Sequence, residues 1–138
     1  MLNIIYIILI FIISSISIQI SSGIFIMPYI LYLTNFKKKT SFFLVLLIGV
    51  IYALQTEKIL IILFFFVLYY IIFYNVLKYL HYTYMNIIFF SIIEQVLWIV
   101  TFEKRIDFIG IIVSFIVYNI FNLIFMKIYK KIKAGVIK

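Results

Sequence analysis

The 138-residue chain is 68% hydrophobic and 12% charged, with a formal net charge of +8. That leaves too little polar surface to coat a soluble globule. The stretch from Ile59 to Leu77 carries no formal charge and approaches the roughly 20 residues that cross a bilayer, so the chain reads as an integral membrane protein.

The N-terminal stretch, Met1 to Ser14, has no basic side chain, and no small-x-small cleavage pattern stands near Ser21 and Ser22. It therefore reads as a retained helix and not as a signal peptide. Backbone groups in hydrocarbon must be paired internally, and the apolar segments are too uniform for barrel strands. The expected fold is a compact all-α bundle of about six short transmembrane helices forming one polytopic domain over residues 1–138. The interruptions place spans at Leu2 to Ile20, Gly23 to Tyr32, Ser41 to Leu54, Ile59 to Leu77, Asn86 to Val100 and Phe108 to Met126.

The second span is short and contains Pro28, which removes a backbone donor and restricts Met27. A kinked or tilted helix and a re-entrant segment are both consistent with it. A single helix over residues 2–34 would be about 48 Å long at 1.5 Å per residue, against a hydrocarbon core of about 30 Å. A break is therefore expected, with Gly23 and Pro28 as its markers and Ser21, Ser22 and Gly23 as its turn.

With six spans and a cytoplasmic C-terminus, the inner side holds Lys37, Lys38 and Lys39, then Lys78, then the tail with Lys127, Lys130, Lys131, Lys133 and Lys138. The other side holds Lys58, Lys104 and Arg105, offset by Glu57, Glu103 and Asp107. Basic residues favour the cytoplasmic side of short loops, so the pattern supports both termini on that side. The tail and the Lys37 to Lys39 turn are also placed to touch anionic lipid, and the tail is equally placed to touch a cytoplasmic protein. Topology already explains this charge, and no nucleic-acid site is read from it.

Within the spans, Glu94 is the most informative side chain. A carboxyl there is expensive unless it is protonated, paired or facing a polar interior. Gln95 is adjacent, and Asn119 and Asn122, three residues apart, share a face of the last helix. Interhelical hydrogen bonding is the favoured reading of all four; proton or substrate binding at Glu94 is the alternative. Ser14, Ser15, Ser17 and Gln19 read as packing residues, and Asn75 as a polar contact near the interface. Tyr69, Tyr70, Tyr74, Tyr79, Tyr82 and Tyr84 read as an interfacial belt. His81 has no neighbour at metal-ligand spacing, no cysteine is present, and phosphate loops, dinucleotide fingerprints and nucleophile elbows are missing. No enzyme chemistry, metal or cofactor is expected.

Together these residues resemble the rod shape-determining protein MreD family of bacterial inner-membrane proteins. The likeness lies in the proline-led stretch Pro28 to Leu33, the basic turn Lys37 to Lys39, and an apolar helix containing Gly49 and ending near Gln55. It continues in Glu94 of the fifth helix, in Val117 to Leu123 with its two asparagines, and in the basic run Met126 to Ile132. The family commonly has an acidic residue shortly after the glycine of its third helix, where Ala53, Leu54 and Gln55 stand here. The resemblance implies a non-enzymatic scaffold of lateral peptidoglycan synthesis. Its implied partners are a bitopic MreC-like protein and the wall-elongation complex: the cytoskeletal protein MreB, the RodA glycosyltransferase and a penicillin-binding transpeptidase. From a different functional class, a small-solute transporter or membrane substrate-binding subunit using a separate ATPase also suits six short helices and one membrane carboxyl. An assembly subunit unrelated to wall growth has no separate motif.

Overall fold

The computed structural model describes residues 2–15, 19–36, 38–55, 58–102 and 108–135. Ser17, Lys37, Glu57, Glu103, Lys104, Arg105, Asp107 and Lys138 lie outside the described residues, as do the side chains of Ser14, Ser15 and Gln19. The helices are α1 (Leu2–Ser15), α2 (Gln19–Asn35), α3 (Lys39–Ala53), α4 (Ile59–Tyr79), α5 (Ile87–Phe102) and α6 (Phe108–Lys133), with a 3-10 turn at Tyr84–Asn86 leading into α5.

Length separates these helices into two groups. The 21 residues of α4 extend about 31 Å, enough for the hydrocarbon core; α6 and the run Tyr84–Thr101 are also long and apolar enough to cross. The 14 residues of α1 and 15 of α3 reach only about 21–23 Å. Outward-facing residues on all these helices are large and apolar, among them Ile4, Phe43, Leu60, Phe64, Ile88 and Ile112. Such a surface is compatible with lipid and would aggregate in water. The molecule is a multi-spanning helical membrane protein.

The centre of the bundle is α2, which packs against each of the other helices. Every residue from Ile26 to Thr34 is buried, the behaviour of a helix that is apolar on all sides. The segment is helical from Gln19 onward, so Ser21, Ser22 and Gly23 lie inside α2 and neither Gly23 nor Pro28 ends it. Serine and glycine lower helix propensity by about 1 kcal/mol or less each, whereas an opened turn inside the bundle would strand backbone polar groups. Of the expected first span, Leu2–Ser15 form α1, whereas Ile20 belongs to α2. Thr34 donates its hydroxyl to the Ile30 carbonyl one turn earlier in α2, at 2.7 Å,.

Aromatic rings hold α2 in place. Tyr6 of α1 lies 4.4 Å from Tyr29, centroid to centroid, and Phe125 of α6 lies 5.1 Å from Tyr6 and 5.2 Å from Tyr32. Tyr6 and Tyr29 are similarly far along the chain from the segment joining α1 to α2, as two antiparallel helices require. On the other flank, α3 and α4 form an antiparallel pair closed by Gly49: a Cβ there would sit 3.1 Å from Cβ and Cγ of Phe66. That glycine sets how closely the two helices approach.

The direction of the chain gathers the lysines. Phe36, just after α2, meets Tyr129 of α6 at 5.4 Å, and Tyr129 meets Tyr82 of the α4–α5 loop at 5.6 Å. The Lys130 ammonium sits 3.8 Å from the centroid of the Tyr84 ring. Helices α2, α4 and α6 therefore end where α3 and α5 begin, and Lys38, Lys39, Lys78, Lys130, Lys131 and Lys133 share this end, while Lys58 caps the opposite end of α4. Lysines in the last turns of α4 and α6 also complement the negative helix termini. The basic run Lys127 to Lys133 is a continuation of α6 beyond the expected end at Met126. The helix stops before Gly135, whose φ of 76° is the left-handed conformation suited to a C-terminal stop,.

The expected tyrosine belt divides. Tyr79 and Tyr84 are exposed, but Tyr69 and Tyr82 are packed inside the bundle, Tyr82 against Phe90 and Tyr129. Burial pushes the Tyr82 phenol well above the usual tyrosine range,.

Candidate functional site

The polar side chains of α5 cluster on one helical face. Ser91, Glu94, Gln95 and Trp98 follow the i, i+3, i+4, i+7 spacing that puts residues on a common side, and all are buried. Opposite them, Phe115, Asn119 and Asn122 follow the matching spacing on α6. Because α5 and α6 are antiparallel neighbours, the two faces meet inside the bundle.

Ser91 donates its hydroxyl to Oδ1 of Asn119 at 2.8 Å, and Nδ2 of Asn119 donates to the Phe115 carbonyl of its own helix at 3.0 Å. Nδ2 of Asn122 donates both to Oε2 of Glu94 at 3.1 Å and to Oγ of Ser91 at 3.2 Å. Gln95 stands apart from this network. Its Nε2 donates to the Ile111 carbonyl at 2.9 Å, about two to three turns from Asn119 and Asn122 toward the opposite end of α6,.

Glu94, Ser91 and Asn122 are fully inaccessible. Two acceptors at the centre, Oε1 of Glu94 and Oδ1 of Asn122, have no hydrogen-bond partner among the described residues. The cluster therefore has spare acceptor capacity on both helices; Ser91, Glu94 and Asn122 are closed off by protein, while Asn119 at its edge is partly exposed. An open groove of about 560 Å³ lies between α3 and α4 at the basic end, and none of these residues lines it. Among the described residues, no group of three or more His, Cys, Asp or Glu is placed to hold a metal ion.

Of the residues singled out in the sequence, Glu94 and Asn122 are joined directly and Asn119 joins them through Ser91. The serine was missed. Its position one helical turn before Glu94 was a usable signal, since a small hydroxyl at i−3 shares the carboxyl's face. Asn75 is exposed beside Lys78 and takes no part in the cluster. His81 is exposed, and its carbonyl accepts a hydrogen bond from Nδ2 of Asn86 at 2.8 Å, tightening the turn into α5.

No family model matches the chain, and neither a characterised protein nor a solved structure does so.

Interhelical hydrogen bonds in membranes average about 0.6 kcal/mol and reach about 1.7, whereas stranding a buried partner costs about 1–3 kcal/mol. Glu94→Gln keeps an acceptor facing Asn122 and is expected to unfold near the parent in a denaturant titration of the purified protein. Glu94→Leu is expected to lose about 1–3 kcal/mol, and Glu94→Leu with Asn122→Leu is expected to be less destabilised than the sum of the single changes. Additive losses would show that the two side chains are not coupled.

Proposed function

We propose that this chain is a non-enzymatic scaffold of the bacterial inner membrane, serving cell shape and lateral peptidoglycan synthesis by binding a bitopic MreC-like partner through its helices. The observation that carries the reading is where the membrane-embedded polar groups go. Ser91, Glu94, Asn119 and Asn122 are used between α5 and α6, and Ser91, Glu94 and Asn122 are fully inaccessible. A bundle closed in this way has its outer helix faces and its basic end for interaction.

The resemblance to the MreD family supplies the biological setting. The stretches that carry it also hold structural positions: Pro28 to Leu33 is the buried core of α2, Gly49 sets the α3–α4 approach, and Asn122 pairs with Glu94. In this reading all six helices span or nearly span the bilayer, the shorter ones assisted by flanking residues and local thinning. The basic end faces the cytoplasm, which puts both termini there.

A transporter that used a separate ATPase would instead require Glu94 and its neighbours to reach an aqueous path at some stage of alternating access. The unpartnered oxygens of Glu94 and Asn122 are the feature such a mechanism would use.

A reporter fused to the C-terminus is expected to be active only when it is of a kind that works in the cytoplasm; strong activity from a periplasm-dependent reporter would overturn the orientation. Crosslinking in native membranes, followed by affinity purification of the intact protein and mass spectrometry, is expected to recover a bitopic wall-elongation protein. Recovery of a cytoplasmic ATPase pair in its place would contradict the scaffold and support transport.

A further inference from the structure

The groove between α3 and α4 has a polarity gradient along its length. At its mouth stand Lys38 and Lys39, at the start of α3, and Lys78, in the last turn of α4. One turn deeper along α4 are Tyr74 and Asn75, and the Lys78 ammonium lies 5.0 Å from the Tyr74 ring centroid. Deeper still the walls become apolar: Phe42 meets Tyr70 across the groove at 5.1 Å between centroids. The volume of about 560 Å³ falls within the roughly 300–1,000 Å³ of small-ligand sites.

Among the described residues, the positive charge at this mouth has no acidic counterpart. No acidic side chain lines the groove, and Glu94, the acidic residue among the described ones, is buried between α5 and α6. Helix α3 has no acidic residue in its first turn, and Lys38 precedes it in extended backbone without a side-chain cap. Its positive helix end therefore adds to the lysines instead of being offset by a carboxylate. Topology explains lysines on this side of the membrane, but it does not require three of them, from two helices, to converge on one cleft.

The geometry points to a binding site for one anionic phospholipid, its phosphate held by Lys38, Lys39 and Lys78 and the start of its acyl chain lying along Phe42 and Tyr70. The gradient selects an amphiphile over a soluble anion. The charged mouth lies where the apolar part of α4 ends, at headgroup level, and the groove continues toward the hydrocarbon. Asn75 adds an amide donor beside the phosphate position, and Tyr74 offers a ring face that keeps the Lys78 ammonium near it.

The test is native mass spectrometry of the full-length protein in non-ionic detergent, with phosphatidylglycerol or phosphatidylcholine added at matched concentrations. Phosphatidylglycerol is expected to be retained preferentially. Because all three lysines are exposed, Lys38→Gln, Lys39→Gln and Lys78→Gln combined should leave folding intact, checked by unchanged elution and helix content. This variant is expected to lose retention by roughly tenfold or more, and Lys78→Gln alone by about fivefold. A variant carrying Lys127→Gln, Lys130→Gln and Lys131→Gln is expected to retain the lipid. Equal losses in the two triple variants would overturn the site in favour of diffuse surface charge, and unchanged retention in the groove variant would overturn it outright. Displacement of phosphatidylglycerol by inorganic phosphate at similar concentration would show a soluble-anion site and overturn the assignment to lipid.

Discussion

Everything in this bundle is arranged around a helix that has no lipid-facing side over its middle. In hydrocarbon a backbone cannot fall back on water for missing hydrogen bonds, and Pro28 leaves α2 one donor short. Enclosure by protein is the environment in which that is tolerated. The continuous burial from Ile26 to Thr34 follows from it, as does the use of large rings at Tyr29 and Tyr32 to fill the space between α2 and its neighbours. The close α3–α4 approach at Gly49 brings these two helices tightly together on one flank of that core.

The polar residues follow a second rule with the same origin. A bilayer offers helices little hydrophobic reason to associate, because lipid tails are as apolar as leucine; packing and interhelical hydrogen bonds do more of the work. Here α5 and α6 carry that load through Ser91, Glu94, Asn119 and Asn122. The network is incompletely satisfied, with one oxygen of Glu94 and one of Asn122 unpartnered. Its energetic contribution is thus modest, and its value lies in fixing the register of two otherwise smooth apolar helices.

Much of this was legible in the sequence, for identifiable reasons. Charge interruptions located α3 to α6 to within a few residues, except at the end of α6, where the helix continues through the lysines past the apolar stretch that defined it. The start of the chain was harder. Ser21, Ser22 and Gly23 look like a turn locally, yet they are helical, because packing around α2 outweighs a small loss of propensity. Neither the central position of α2 nor the burial of Tyr69 and Tyr82 could be read from composition, since a chain rich in isoleucine, phenylalanine and tyrosine gives nearly every helix an apolar surface. In the candidate site, Glu94, Asn119 and Asn122 stood out because polar groups are costly in a span. Ser91 did not, because a serine is inexpensive and can bond its own helix.

Two regions divide the work: a polar seam, fully buried at Ser91, Glu94 and Asn122, that holds helices together, and a basic end where charge is exposed. A scaffold needs the seam to stay dry, whereas a transporter needs water to reach it. The chain has no cysteine, so Ser91→Cys, a near-isosteric change at a fully buried position, introduces a unique thiol at that seam. The most direct measurement is its reaction with a charged, membrane-impermeant thiol reagent applied to each side of sealed native vesicles. No modification from either side, with full modification after denaturation, is the result expected of a closed seam. Labelling of the folded protein from either side would contradict the account and reveal an aqueous path to Glu94.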